Sequence, residues 1–305
     1  MPQPDIVCLG EAMIELSLTG QPPGPGQVSF AGDTFNTAVY CKRAAPELTV
    51  SFATKVGRDL FSDALLAFME EERLDTSLVS RSDDRTPGLY AISTDAAGER
   101  SFTYWRDQSA ARLVLEQPGL DLGSLNCGYF FFSAISLAIL PDTYRTALMN
   151  WLPDYRRSGG QVVFDSNYRP ALWPDVMAAR KEVEACWRLT DVALPSKDDE
   201  TALAGDNSAT ETRERLRGLG VTQGVVKRGP EGPLSFDPSV EMTFSAVPNV
   251  VDTTAAGDSF NGAYLAALMQ GRDQRAAMQA GHDLASRVVG QRGAIIPKDA
   301  MMEVS

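Results

Sequence analysis

The residue types best suited to chemistry are concentrated in one run, Asp252-Thr-Thr-Ala-Ala-Gly-Asp258-Ser-Phe-Asn-Gly-Ala-Tyr-Leu265. Ala255, Ala256 and Gly257 are small enough for a ligand to approach the backbone. After them Phe260, Tyr264 and Leu268 recur every four residues, as the buried face of a helix does. A small-residue turn feeding a helix N-terminus presents unpaired N–H groups and the positive end of the helix dipole, an arrangement that suits phosphate. Asp258 falls in the first helical turn, where the dipole is expected to lower its pKa. From there a carboxylate can still accept a hydroxyl proton as a phosphoryl group transfers. An isolated Gly-Asp ahead of a helix would read as a capping acid, but this run is far longer than a cap.

A second cluster, Gly32-Asp33-Thr34-Phe35-Asn36, pairs a site of close approach with two polar side chains able to bind several hydroxyls. A third lies in Gly88–Trp105, two strand-like runs around Asp95-Ala-Ala-Gly98 that predict a hairpin. Tyr90 stands on one arm and Tyr104, with Arg106 two residues on, follows the other; residues two apart in a strand share a face. Arg169 follows a strand end, where open α/β sheets bind ligands. Guanidinium groups beside tyrosines suggest a carboxylate-bearing substrate, since guanidinium and carboxylate pair as a fork. Either arginine alone could equally be a surface ion pair.

These groups need a frame, and the apolar pattern supplies one. Ile6–Leu9, Thr49–Val56, Tyr129–Phe132, Val162–Asp165, Val192–Leu194 and Val225–Lys227 read as strands. Helical patterns at Asn36–Ala45, Phe61–Glu72, Tyr144–Tyr155 and Val176–Trp187 fall between them, with another from Asp198. The alternation predicts a mostly parallel sheet flanked by helices, a single α/β domain over 1–305. Segments of about 12–30 and 86–106 break the rhythm and predict a small β-lid. A β-rich stretch is expected after Lys227 to Val247.

Composition narrows the chemistry. With 40 Asp and Glu against 28 Lys and Arg the net charge is −12, which disfavours nucleic acid and anionic membranes as partners. Cys8, Cys41, Cys127 and Cys186 are far apart and fit reduced thiols. His282 is the sole histidine, which removes multi-His metal sites and leaves carboxylates as the acid–base groups. Neither a P-loop nor a Gly-x-Gly-x-x-Gly follows a strand. The N-terminus shows no signal-peptide pattern and no apolar run is long enough to span a bilayer, so a cytoplasmic address is the expectation.

The run ending in Gly257-Asp258 closely resembles the C-terminal signature of the ribokinase-like carbohydrate kinases of the phosphofructokinase-B type. Ala31–Ala38 looks like that family's first signature. The resemblance extends along nearly the whole chain and implies a ribokinase-like fold, ATP as phosphoryl donor and Mg2+. It makes Asp258 the catalytic base and the N–H groups of Ala255, Ala256 and Gly257 the anion hole, with Ala255 where many members have glycine. It assigns nucleotide contacts to Ser196, Lys227, Gly229, Gly232, Gly257 and His282, the last near adenine. Asp165-Ser-Asn167 resembles an element close to the phosphates. The family's Asn-x-x-Glu, which organises magnesium-bound water, is represented by Ser196 and Asp199 with Glu200 adjacent, which leaves open which acid serves; Asp199 is the candidate, acting through water. A monovalent cation, potassium, is implied near Asp252 and Thr254.

Within the family the pattern is similar to the kinases of 2-keto-3-deoxygluconate. By that analogy Gly32, Asp33, Asn36, Tyr90, Tyr104, Arg106, Arg169 and Asp258 would face a sugar acid. Phosphorylation of a neutral sugar such as fructose or ribose stays open, as does a non-catalytic sugar-acid-binding protein on the same fold. An exposed β-lid favours a homodimer paired through it.

Overall fold

The computed structural model describes residues 3–18, 23–94 and 100–301. The chain begins β1 (Ile6–Leu9), β2 (Met13–Leu18), β3 (Gly26–Ala31), α1 (Asp33–Ala44), β4 (Val50–Val56), α2 (Leu60–Glu71), β5 (Val79–Arg81), β6 (Leu89–Thr94) and β7 (Arg100–Trp105). It continues β8 (Tyr129–Ser133), α3 (Ala134–Ile139), α4 (Asp142–Arg157), β9 (Gln161–Asp165), α5 (Val176–Trp187), β10 (Val192–Ala193), α6 (Lys197–Ala204) and α7 (Ala209–Gly218). It closes with β11 (Gln223–Val226), β12 (Leu234–Ser235), α8 (Ala256–Met269) and α9 (Gln274–Val288). The turn expected at Asp95–Gly98 lies outside the described residues.

β1 explains the layering. Its four residues are all buried, and side chains alternate across a strand, so each face needs its own cover. Val7 and Leu9 join Phe130, Phe132, Val162 and Phe164 in a core closed by α4 and α5. Ile6 and Cys8 join Phe52, Phe131 and Val163 in a second core closed by α1, α8 and α9. The eight strands lie in the order β12-β11-β10-β9-β8-β1-β4-β5, parallel except for the β11–β12 pair.

α1 and α8 pack at very short range because Gly262 has no side chain. A Cβ there would stand 2.7 Å from Tyr40 Cβ and 2.8 Å from both Cys41 N and Thr37 O. Gly262→Ala is therefore expected to lower stability by about 1–3 kcal/mol, the usual cost of overpacking, despite alanine's better helix propensity. Urea unfolding checks it; an unchanged midpoint would show that the two helices can separate freely.

The second sheet has the order β3-β2-β6-β7 and is drawn from the two segments that break the strand–helix rhythm. Its pairings place Met13, Glu15, Ala31, Tyr90, Ile92 and Tyr104 on one face. The apolar members of that face, except Tyr104, pack with Ala294 and Ala255, at the entrance to α8. Val28 and Trp105, on the opposite face, are 50% and 59% exposed.

The β-rich stretch expected to Val247 is corrected: beyond the two residues of β12 the segment is irregular. The alternation that suggested a strand has a real cause, since Val240, Met242 and Phe244 rest against the core. Among the described residues no neighbouring strand pairs with them.

Candidate active site

The C-terminal ends of β1, β8, β9, β10 and β11 meet the N-termini of α1, α6 and α8 along one edge, where parallel sheets bind ligands. Asp258 stands in the first turn of α8. Its Oδ2 accepts from Asn36 Nδ2 at 2.8 Å and its carbonyl accepts from Thr37 Oγ1 at 3.2 Å. Asn36 Oδ1 in turn accepts the Gly32 N–H at 3.2 Å. Gly32 is required there, because a Cβ would lie 2.1 Å from the Glu11 carbonyl oxygen. Asp33 does not cap α1; its Oδ2 accepts from Ser133 Oγ at 2.5 Å and Asn167 Nδ2 at 2.9 Å.

The expectation that the dipole lowers the Asp258 pKa is overturned. Burial, then the neighbouring Asp33, push its carboxyl up to about 8, against the opposing pull of the Asn36 hydrogen bond. The long-range environment outweighs the helix end.

Beside Asp258, Ala255 holds φ 58°, a left-handed conformation uncommon for a residue with a side chain. The Ala256 N–H is engaged by the Thr253 carbonyl at 3.2 Å, so of the three expected anion-hole donors this one is already bonded. Lys227 Nζ lies 2.5 Å from Asp165 Oδ2 and 3.2 Å from Asn261 Oδ1. The same ammonium is 3.5 Å from where a Cβ of Gly257 would be, so it borders the helix N-terminus. Asn261 also donates to Asp165 at 2.6 Å. Asn261 was not singled out from sequence; its place one turn beyond Asp258 was the available signal.

The acids after β10 separate cleanly. Ser196 caps α6, its Oγ accepting the Asp199 N–H at 3.1 Å. Glu200 is buried against Arg215 at 2.6 Å, with Arg215 also on Asp206 at 2.8 Å, and burial pushes the Glu200 carboxyl up to about 7. Asp199 faces the site: burial first and Asp165 among its neighbours raise its pKa, opposed by Arg169 and Lys227. Among the described residues no three His, Cys, Asp or Glu side chains converge as a metal cage. Asp252 Oδ1 accepts from Thr254 N–H at 3.0 Å and Thr254 Oγ1 at 2.6 Å, while its Oδ2 accepts the Gly293 N–H at 3.0 Å.

After β11, Gly229 and Gly232 bound a tight turn with positive φ. A Cβ on Gly232 would strike the Phe244 ring at 2.5 Å, and that ring lies 4.7 Å from the ring of His282. His282 Nε2 sits 3.1 Å from the Ser245 carbonyl. Gly232, expected at the nucleotide, and His282, expected near adenine, thus share one patch, with Phe244 between them in a segment whose irregularity concealed it from sequence.

On the small sheet, Tyr90 donates its hydroxyl to Glu15 and stacks on Tyr104 with ring centroids 5.6 Å apart. Tyr104 is half-exposed, whereas Arg106, one residue beyond the strand, is buried and paired with Glu11 at 2.5 Å. Arg106, expected to face a sugar acid, thus already has a carboxylate partner in the protein. Glu11 Oε1 and Arg106 Nε are buried without hydrogen-bond partners among the described residues. Arg169 is largely exposed, donates to the Tyr168 carbonyl at 2.8 Å and lies 3.5 Å from Asp199. The structure joins the two arginines through no shared contact among the described residues. Glu11 was missed from sequence, although an acid just after the first strand sits where this fold type binds ligands.

The model of the pfkB family carbohydrate kinases matches residues 3–301. The chain belongs to this family. The pfkB kinase described here is 42% identical to the 2-dehydro-3-deoxygluconokinase of Dickeya dadantii (strain 3937), over 97% of this chain and 98% of that one. Among solved structures it is similar to a PfkB protein from Polaromonas sp. JS666, at 25% identity and TM-score 0.82, covering 94% of this chain and 96% of that one. It shares its fold with an E. coli protein described as a putative Ribokinase II, solved in complex with ATP and Mg2+. That match has 22% identity and TM-score 0.83, over 96% of this chain and 94% of that one. No described helix of this pfkB kinase is long and apolar enough to cross a membrane.

Proposed function

We propose that this kinase transfers the γ-phosphoryl group of ATP to the 6-hydroxyl of 2-keto-3-deoxygluconate, giving 2-keto-3-deoxy-6-phosphogluconate and ADP. The observation that carries the substrate is the 42% identity to a kinase of that activity over nearly the full length of both chains. The geometry supports the step. Asp258 accepts the hydroxyl proton while Asn36 holds its carboxylate in place. The Gly257 end of α8 and the Lys227 ammonium face the phosphoryl oxygens, whose charge grows as the bond to ADP breaks. Asp33, fixed by Ser133 and Asn167, receives sugar hydroxyls. Gly229, Gly232 and His282 border the base and ribose.

The acids fit a divalent cation, since Asp165 and Asp199 repel one another across the site and a cation between ligand and protein relieves that. Asp199 would hold Mg2+ through water, and Mg2+ when bound neutralises phosphate charge. The Asp252 and Thr254 loop is the proposed place for potassium. The small sheet serves as a lid on a single domain, with its exposed Val28 and Trp105 face pairing two subunits; light scattering at the mass of a dimer is expected, and of a monomer would refute the pairing.

A second reading has an observation behind it: Arg106 is already neutralised by Glu11, so a neutral sugar is a credible acceptor. ADP release over 2-keto-3-deoxygluconate, fructose, ribose and a nucleoside decides. A kcat/KM at least ~10²-fold higher for the keto acid is expected, the equivalent of one or two charge-assisted hydrogen bonds. Preference for fructose or ribose would replace the proposal with the second reading.

A further inference from the structure

A second depression lies apart from the site just described. It opens between the C-terminal halves of α1 and α8 and the exposed side of α9, with a volume of about 800 Å³, the size of a small-molecule pocket. At 1.5 Å rise per residue its Gln270 edge lies ~18 Å along α8 from Asp258. The floor is apolar and small, with Ala263, Ala267 and Ala280 in it, and the walls are cationic. Among the described residues that line it, Lys42, Arg43, Arg73, Arg272, Arg287 and Lys298 stand with only two acids, Glu72 and Asp283. In a chain of 40 acidic and 28 basic residues that ratio is inverted.

Part of this charge has internal work. Arg43 and Lys298 pair with Glu72 at 2.7 and 3.3 Å. Lys42 donates to the carbonyls of Pro46 and Leu48, and Arg287 to that of Met301. The side chains of Arg73 and Arg272 have neither a carboxylate nor a carbonyl partner among the described residues. Burial first, and then the Arg73 guanidinium, hold the Lys42 amine below its usual range against the opposing pull of neighbours that include Glu47 and Asp5, so these two cations stand close. Arg73 also holds φ 60°, a conformation that glycine adopts freely and arginine rarely does. The turn alone would favour glycine, yet it carries a guanidinium.

We propose that this depression binds a small organic polyanion, with phosphate or several carboxylates facing Arg73, Arg272 and Lys42 and a short apolar part on the alanine floor. The site is separate from the one that holds the phosphoryl donor. Isothermal titration of the full chain with pyrophosphate, citrate and glycerol 3-phosphate, at constant ionic strength, tests it. At least one probe is expected to bind one-to-one with a Kd below millimolar. The double variant Arg73→Gln/Arg272→Gln is expected to weaken it at least tenfold while turnover without probe stays unchanged. Arg73→Lys/Arg272→Lys should retain binding within a few-fold, and Lys227→Met should leave it intact. Absence of saturable binding by all three probes, binding that survives Arg73→Gln/Arg272→Gln, or loss on Lys227→Met would each overturn the proposal. The last would return the anion to the active site.

Discussion

Asp258→Asn is expected to lower kcat by ~10²–10⁴-fold, the usual contribution of a positioned general base, with little change in KM for ATP. Asparagine keeps the shape and the place at the α8 N-terminus but cannot accept the sugar proton. The pH dependence sharpens the test. Burial and Asp33 raise the Asp258 carboxyl to about 8, so the acidic limb of kcat/KM should fall near that value rather than near 4. The same shift bears on stability. The unfolded chain releases this proton near 3.8 and the native protein retains it to about 8. The native state therefore binds more protons in between, and wild-type stability declines as pH rises through that window. The Asn variant has no such proton to lose. Its melting temperature should exceed that of wild type by several degrees at pH 8, with the gap closing toward pH 4; partial solvent access at Asp258 limits the size of the gap. A variant with near-normal kcat would remove Asp258 from proton transfer.

The second large effect belongs to Arg106, and it has two components. Glu11 is fully buried and Arg106 nearly so, and removing one partner strands the other charge. Arg106→Ala is expected to cost about 3–5 kcal/mol of stability, read by urea unfolding. Arg106→Met with Glu11→Gln should recover much of that loss, because no charge is left uncompensated. Binding gives the other component. If the guanidinium also reaches the sugar carboxylate through an edge not used by Glu11, KM for 2-keto-3-deoxygluconate should rise ~10–10²-fold in both variants, the worth of a hydrogen bond to a charged group. KM for ATP should not move. Equal losses for sugar and ATP would make Arg106 purely a prop for the small sheet. Full stability in Arg106→Ala would mean that the ion pair with Glu11 contributes nothing.

The contrast between what the sequence disclosed and what it hid follows the range of the interactions. β1, β8 and β9 are legible because a doubly covered parallel strand is nearly all apolar. The entrance to α8 is legible because small residues, an acid and a four-residue apolar repeat are adjacent in the chain. The partners of these groups are not adjacent. Asn36 meets Asp258 across 222 positions, Arg106 meets Glu11 across 95, and Asn261 meets Asp165 across 96. No local pattern encodes such pairings. The raised Asp258 pKa is hidden from sequence for the same reason, since the dipole is local whereas burial and Asp33 come from the tertiary fold. The segment after β12 failed differently: alternation reports one face on the core and says nothing about a neighbouring strand. Arg73 and Arg272 carried no signal, because their common depression exists only once α1, α8 and α9 pack.

As proposed, this chain moves a phosphoryl group onto the terminal hydroxyl of a keto sugar acid with Asp258 as base. Phosphorus NMR on a reaction of the purified chain with 2-keto-3-deoxygluconate, ATP and Mg2+ tests it most directly. The account predicts a phosphomonoester signal coupled to the two C6 protons, growing in step with ADP and suppressed in Asp258→Asn. A spectrum showing only ATP, or ADP with inorganic phosphate and no ester, would contradict it.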